Sequence, residues 1–133
     1  MIPLKEAIKF HGHLGPYLVL GLLAGNLGLK KTGVKKYFGL EVRVYGADEK
    51  PRSCLVDGLQ LSTGATYGKG NIRKYKAKAI KIIVRNLKNN KQAVISLNQQ
   101  LLKRLESLKG HADAEKLALE LLKLNQREIF TLK

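Results

Sequence analysis

Two histidines separated by one glycine, His11-Gly12-His13, and a single cysteine, Cys54, are the side chains in this sequence best suited to hold a metal ion. A His-x-His pair in irregular backbone can aim both imidazoles at one point, as a metal site requires. Two loop histidines taken alone are more often solvated or hydrogen-bonded than ligating, so the pair gains weight only beside a third ligand. Cys54 supplies one. It falls in the predicted first turn of a helix, where free N–H groups and the macrodipole favour a thiolate. A neutral buried thiol is the ordinary alternative for a lone cysteine. Here the flanking Arg52 and Ser53 are polar, and Asp57, three residues on, shares the helical face of Cys54. A thiolate, two imidazoles and a carboxylate meeting across two helix starts suit zinc or a similar borderline metal. Three protein ligands, His11, His13 and Cys54, leave a coordination position open, the arrangement of catalytic sites. Cys54 and Asp57 are then the catalytic candidates, Asp57 moving protons; alternatively, Asp57 only complements the dipole of its own helix.

A second polar series follows in Gln60, Thr63, Thr66 and Lys69. The stretch Thr63-Gly64-Ala65-Thr66-Tyr67-Gly68-Lys69-Gly70-Asn71 has the glycines, hydroxyls and lysine of an anion-cradling loop. Its spacing is not that of a P-loop. A glycine-rich turn needing positive φ explains the same residues equally well.

The elements that must position these groups can be read from the pattern. Pro3 to Phe10 has near-helical apolar spacing with proline in the first turn. His11 to Pro16 breaks it with two glycines and a proline. Tyr17 to Leu27 reads as a buried helix in which Gly21 and Gly25 lie on one face and permit close approach of another element. Gly39 to Gly46 alternates as a half-buried strand. Ser53 is the expected N-cap of a helix from Cys54 to Ser62, with Gly64 as its stop. The second half of Lys76–Arg85 and Ala93–Leu97 form a hairpin about the turn residues 87–92. From Asn98 the period becomes helical through Leu101, Leu102, Leu105 and Leu108 to Gly110, and again from Asp113 to Leu124. Glu128–Leu132 is a short final strand. The fold class is therefore α+β, an antiparallel sheet packed by helices in a single compact domain over residues 1–133.

Composition bounds the function. One cysteine allows no internal disulfide and suggests a reducing compartment. The N-terminus has no signal-peptide pattern, and the most apolar stretch, 17–29, is too short to span a bilayer, so a cytoplasmic, non-membrane protein is expected. The net charge is +15, and between Asp57 and Glu106 there is no acidic residue. This basic 69–104 segment would attract polyanions or an acidic partner, although a lysine-rich surface is also a heat adaptation. The run lacks the aromatic interleaving of single-strand binders, which argues against nucleic acid.

Phe10-His11-Gly12-His13-Leu14-Gly15-Pro16-Tyr17 and the run from Cys54-Leu55-Val56-Asp57-Gly58-Leu59-Gln60 through Lys69-Gly70-Asn71 resemble the formylmethanofuran dehydrogenase E-subunit family. The resemblance covers most of the chain. It implies an α+β core found as a homodimer, with a metal, usually zinc, at His11, His13 and Cys54, and with Asp57, Gln60, Thr63 and Lys69 as pocket residues. The family name comes from association with a molybdenum or tungsten oxidoreductase complex whose redox chemistry belongs to other subunits. Two departures stand out: many members have cysteine where this chain has Gly15 and Ala65, and many carry a C-terminal zinc finger that this chain lacks. Three readings follow. The first is a metal-dependent enzyme or cofactor-handling protein taking an acidic small molecule such as a carboxylate-rich, methanofuran-like compound. The second is a non-catalytic accessory component of a larger complex. The third is a polyanion binder using the 69–104 segment.

Overall fold

The computed structural model describes residues 2–133. In chain order these form α1 (Leu4–His11), α2 (Pro16–Thr32), β1 (Leu40–Tyr45), α3 (Cys54–Thr63), β2 (Ile72–Tyr75), β3 (Lys81–Asn86), β4 (Gln92–Leu97), α4 (Gln99–Glu106), α5 (Gly110–Leu121), α6 (Gln126–Ile129) and β5 (Phe130–Leu132). The strands make one sheet in the order β2-β1-β3-β4-β5. All neighbouring pairs are antiparallel except β1 and β2, which run parallel because α3 lies in the connection between them. The α+β architecture expected from the pattern is the one observed.

Helix α2 is the centre of the molecule. Most of its residues are buried on every side, as a helix apolar all round requires. On one side it meets the sheet, where Gly28 lies against Val84; on another it meets α3 and α5. The strands bury one face only. Leu40, Val42 and Val44 of β1, Ile82 and Val84 of β3, and Ala93, Ile95 and Leu97 of β4 alternate with half-buried or exposed residues on the other face.

Helices α2 and α3 touch through glycine, as the spacing of Gly21 and Gly25 predicts. A β-carbon on Gly21 would stand 2.8 Å from the Cα of Gly58, and one on Gly58 would stand 2.8 Å from the Cα of Gly21. One turn further along, Gly25 faces Ser62, whose hydroxyl donates to the carbonyls of Gly21 and Gly58 at 3.1 and 2.8 Å. Because 21 pairs with 58 and 25 with 62, the two helices run parallel, and their N-termini lie at the same end.

Several details differ from the sequence reading. Ser53 is not a capping residue: it has helical φ/ψ and its side chain makes no cap bond. Instead Glu49 to Ser53 already curls, and the Cys54 N–H donates to the Pro51 carbonyl at 3.2 Å. Helix α2 runs on to Thr32, closed by Gly33 at φ 70°. Gly110 opens α5 rather than ending α4. The edge strand β2 and the short α6 have no period of their own in the sequence, since only Ile72 of β2 and Ile129 of α6 are buried. Among the described residues no helix is long and apolar enough to cross a membrane.

Candidate metal centre

The parallel pairing of α2 and α3 decides which side chains meet. His11 is the last residue of α1, not a loop residue. Gly12 follows at φ 106°, closing α1 with its N–H on the Ile8 carbonyl. That left-handed turn, costly for any residue with a β-carbon, reverses the chain so that both imidazoles come to one side, their ring centroids 4.7 Å apart. Three residues beyond His13, Pro16 starts α2. Cys54 starts α3, and the parallel crossing sets it level with that start. One ring nitrogen from each histidine and the Cys54 Sγ all lie within 4.8 Å of one another.

Asp57, one turn into α3, reaches across to His11, its Oδ2 2.6 Å from Nδ1. A carboxylate at that distance accepts a hydrogen bond from Nδ1–H, so the lone pair of the neutral ring sits on Nε2. Nε2 is buried and has no hydrogen-bond partner among the described residues. A buried, unpaired acceptor is costly, and His11 is one of the three residues grouped as potential metal ligands. The carboxylate–imidazole pair is the arrangement that orients histidines bound to metals.

The donor set fits a metal of the zinc class. Tetrahedral zinc with bonds of about 2.0–2.3 Å sets neighbouring donors about 3.4–3.6 Å apart. The present spread of up to 4.8 Å exceeds that by about 1.2 Å (4.8 − 3.6). His13 is exposed and free to close the difference by rotation. Cys54 is half-buried and its thiol is held above the ordinary cysteine range, first by burial and then by the negative charge of Asp57, with Lys50 acting the other way. The expected thiolate at a helix start is thus not what the metal-free site favours, because desolvation and Asp57 outweigh the dipole.

The second polar series sits elsewhere. Gln60 and Thr63 lie in the last turn of α3, and the ten residues of that helix span about 15 Å. The Gln60 Oε1 accepts from the Tyr67 N–H, and the Thr63 hydroxyl donates to the Leu59 carbonyl and accepts from the Ala65 N–H. The Thr66 Oγ1 accepts from the Lys69 N–H, while the Lys69 Nζ donates to the Gly64 carbonyl at 2.5 Å and stands over the rings of Tyr37 and Phe38. Their polar atoms thus hold the loop and the end of α3 together, away from His11, His13 and Cys54. Of the two positions at which the sequence departs from the resemblance, Gly15 is beside the cluster. A β-carbon there would lie 3.2 Å from the Cε1 of His13. Ala65, fully buried past the far end of α3, is not.

A family model described as "FmdE, Molybdenum formylmethanofuran dehydrogenase operon" matches residues 10–131. A curated relative from Archaeoglobus fulgidus, "Probable S-adenosyl-L-methionine-binding protein", is 33% identical over 73 residues, which is 52% of this chain and 19% of the relative. The chain therefore spans about a fifth of the length of that relative.

Proposed function

The chain belongs to the FmdE family, and from that membership and the geometry of His11, His13 and Cys54 we propose that it binds one zinc-class metal ion and takes an acidic small molecule or cofactor at the open coordination position. The observation that carries this reading is the orphaned, buried Nε2 of His11, its other nitrogen fixed by Asp57. A divalent metal there would supply a Lewis acid. The rest belongs to the chain. Asp57 sets the tautomer of His11. The paired N-termini of α2 and α3, with Lys50 nearby, favour negative charge on whatever enters. His13, exposed, stands where a ligand would arrive.

Metal analysis of untagged protein tests the reading, with one ion per chain expected in wild type and none in Cys54→Ala. Cobalt substitution should give the near-ultraviolet charge-transfer band of a thiolate ligand and lose it in the same variant. A wild-type protein that takes up neither zinc nor cobalt would falsify the proposal.

The tie of the family to a formylmethanofuran dehydrogenase operon favours a second reading, in which the chain is a non-catalytic accessory component of the oxidoreductase complex. Copurification with molybdenum- or tungsten-enzyme subunits supports that role. Turnover by the isolated, metal-loaded chain excludes it. The homodimer implied by the resemblance finds support in exposed Tyr37, Phe38 and Tyr67, gathered near Lys69 at the far end of α3, and is checked by light scattering at several concentrations. S-adenosylmethionine binding is a property named for the A. fulgidus relative, of which the match covers 19%.

A further inference from the structure

The face of the sheet turned away from α2 is open, and its side chains fall into cross-strand rows. Tyr75, Tyr45, Lys81 and Ser96 stand side by side from β2 to β4 in one row. Two residues along, about 6.7 Å away, Arg73, Arg43, Ile83 and Val94 form the next. Like charges directly opposite on neighbouring strands are destabilising, yet Arg43 and Arg73 are register partners. The one acid on this face, Glu41, bonds the Nε of Arg43 at 2.7 Å, and Arg73 is exposed. In the row beside them the rings of Tyr45 and Tyr75 stack at 4.9 Å and 20°. The Nζ of Lys81 covers the Tyr45 ring at 4.7 Å. Tyr75 is on the edge strand and 37% exposed, so its outer ring face has no strand beside it. Next to this row a groove of about 270 Å3 offers the hydroxyl of Ser96 and the amide of Gln99.

We propose that this open sheet face binds single-stranded nucleic acid, with Arg43 and Arg73 gripping a phosphate and Tyr75 stacking a base. Two guanidinium groups on strands about 4.8 Å apart can share one phosphate, and that anion neutralises the positive charge Glu41 leaves unmatched. The stacked column of Lys81, Tyr45 and Tyr75 ends in a free aromatic face, which accepts any base. A row spacing of about 6.7 Å lets one nucleotide reach both from phosphate to ring. A duplex suits the face less, because the basic and aromatic rows lie on sheet strands rather than on a helix or ribbon that could enter a groove. A second copy of the chain is disfavoured there by the same row of like charges. The basic segment alone could not show this, because Tyr45 and Arg43 come from β1 and join Tyr75 and Arg73 only through strand pairing.

The test is fluorescence anisotropy of the full chain with a labelled oligouridine about 12 nucleotides long, between about 50 and about 200 mM salt. Wild type should bind single strand in preference to duplex, and affinity should fall with salt. Tyr75→Ala should weaken binding about tenfold. Arg43→Gln with Arg73→Gln should weaken it and lower the salt slope by about 0.7, one phosphate. Lys116→Gln with Lys123→Gln removes the same charge from the opposite side of the molecule and should change little. Cys54→Ala should bind as wild type does, which separates this surface from the metal centre. The proposal is overturned by no binding at low salt, by equal losses in the two double variants, or by polyglutamate competing as well as unlabelled oligouridine.

Discussion

Gly58→Ala probes whether the contact between α2 and α3 sets the geometry of the metal centre. The added methyl would lie 2.8 Å from both the Gly21 Cα and the Leu22 N, and closer still to the Leu18 carbonyl oxygen. These are backbone atoms of a buried helix and cannot rotate away. Ordinary carbon contacts begin near 3.5 Å, so the helices must part by at least about 0.7 Å. A gap of that order forfeits a quarter to a half of the dispersion energy of the contacts it opens. Overpacking of this kind costs about 1–3 kcal/mol, and the helix propensity of alanine returns at most about 1 kcal/mol. The net loss of up to about 2 kcal/mol corresponds to a fall in Tm of up to about 7 °C for a chain of this size. The site should suffer too, because Cys54 moves with α3. The donors are already up to about 1.2 Å wider than bound zinc requires, and the opening moves Cys54 relative to both histidines. If closing the extra gap costs about 1.4 kcal/mol, metal affinity drops about tenfold. Thermal unfolding and a competitive zinc titration read both effects. Gly68→Ala is the control, since the nearest atom to its new methyl is 3.8 Å away, and it should change neither. A Gly58→Ala protein with wild-type Tm and wild-type zinc affinity would refute the idea that glycine contact positions the site.

Three further outcomes follow from the site. Asp57→Asn should lower metal affinity about 10- to 100-fold while leaving one ion per chain at saturation; unchanged affinity would mean that the carboxylate does not orient His11. Gly15→Cys places a second sulfur beside His13, which is exposed and can yield to the 3.2 Å contact, so the cobalt derivative should gain thiolate-to-metal absorption, and an unaltered spectrum would show that position 15 does not reach the metal. In metal-free protein the raised Cys54 thiol is protonated at neutral pH, so alkylation by iodoacetamide should be slow there and accelerate as pH climbs beyond the ordinary cysteine range. Removing the charge of Asp57 should shift that rise to lower pH, whereas a rate already at its plateau near neutrality would contradict the burial argument.

The parts of this molecule that were legible in the sequence are those governed by near neighbours. His11, Gly12 and His13 are adjacent, Cys54 and Asp57 share a helical turn, and the four-residue spacing of Gly21 and Gly25 announces a helix face that something approaches closely. The parts that were not legible depend on pairings the chain makes at a distance. Nothing local shows that the Asp57 carboxylate finds the Nδ1 of His11, 46 residues away. The stretch Ile72–Tyr75 carries one buried residue and three exposed ones, so it has no alternation to read, and only the edge of β1 makes it a strand. Gln60, Thr63, Thr66 and Lys69 have the composition of a ligand cradle, and their polar atoms bond backbone groups of the end of α3 and the loop that follows it. Side chains of these types compete for local backbone partners as readily as for a ligand.

On the proposed metal reading, charge favours this donor set over three histidines at the joined helix starts. Two parallel helices present the positive ends of both macrodipoles to the same place, an unfavourable setting for a divalent cation unless the ligands bring negative charge with them. Cys54 as thiolate and Asp57 as carboxylate supply two negative charges against the two positive charges of a zinc-class ion, while His11 and His13 contribute none. The centre is then neutral, and the helix starts, with Lys50 beside them, are left to favour an incoming anion. On this account Cys54→His would retain three nitrogen donors yet leave the centre with a net positive charge at two positive helix ends. It should bind metal more weakly than wild type, and chloride or a carboxylate in the buffer should restore part of the affinity. Binding equal to wild type in Cys54→His, with no dependence on added anion, would show that donor number alone matters and that the paired helix starts have no electrostatic part in the site.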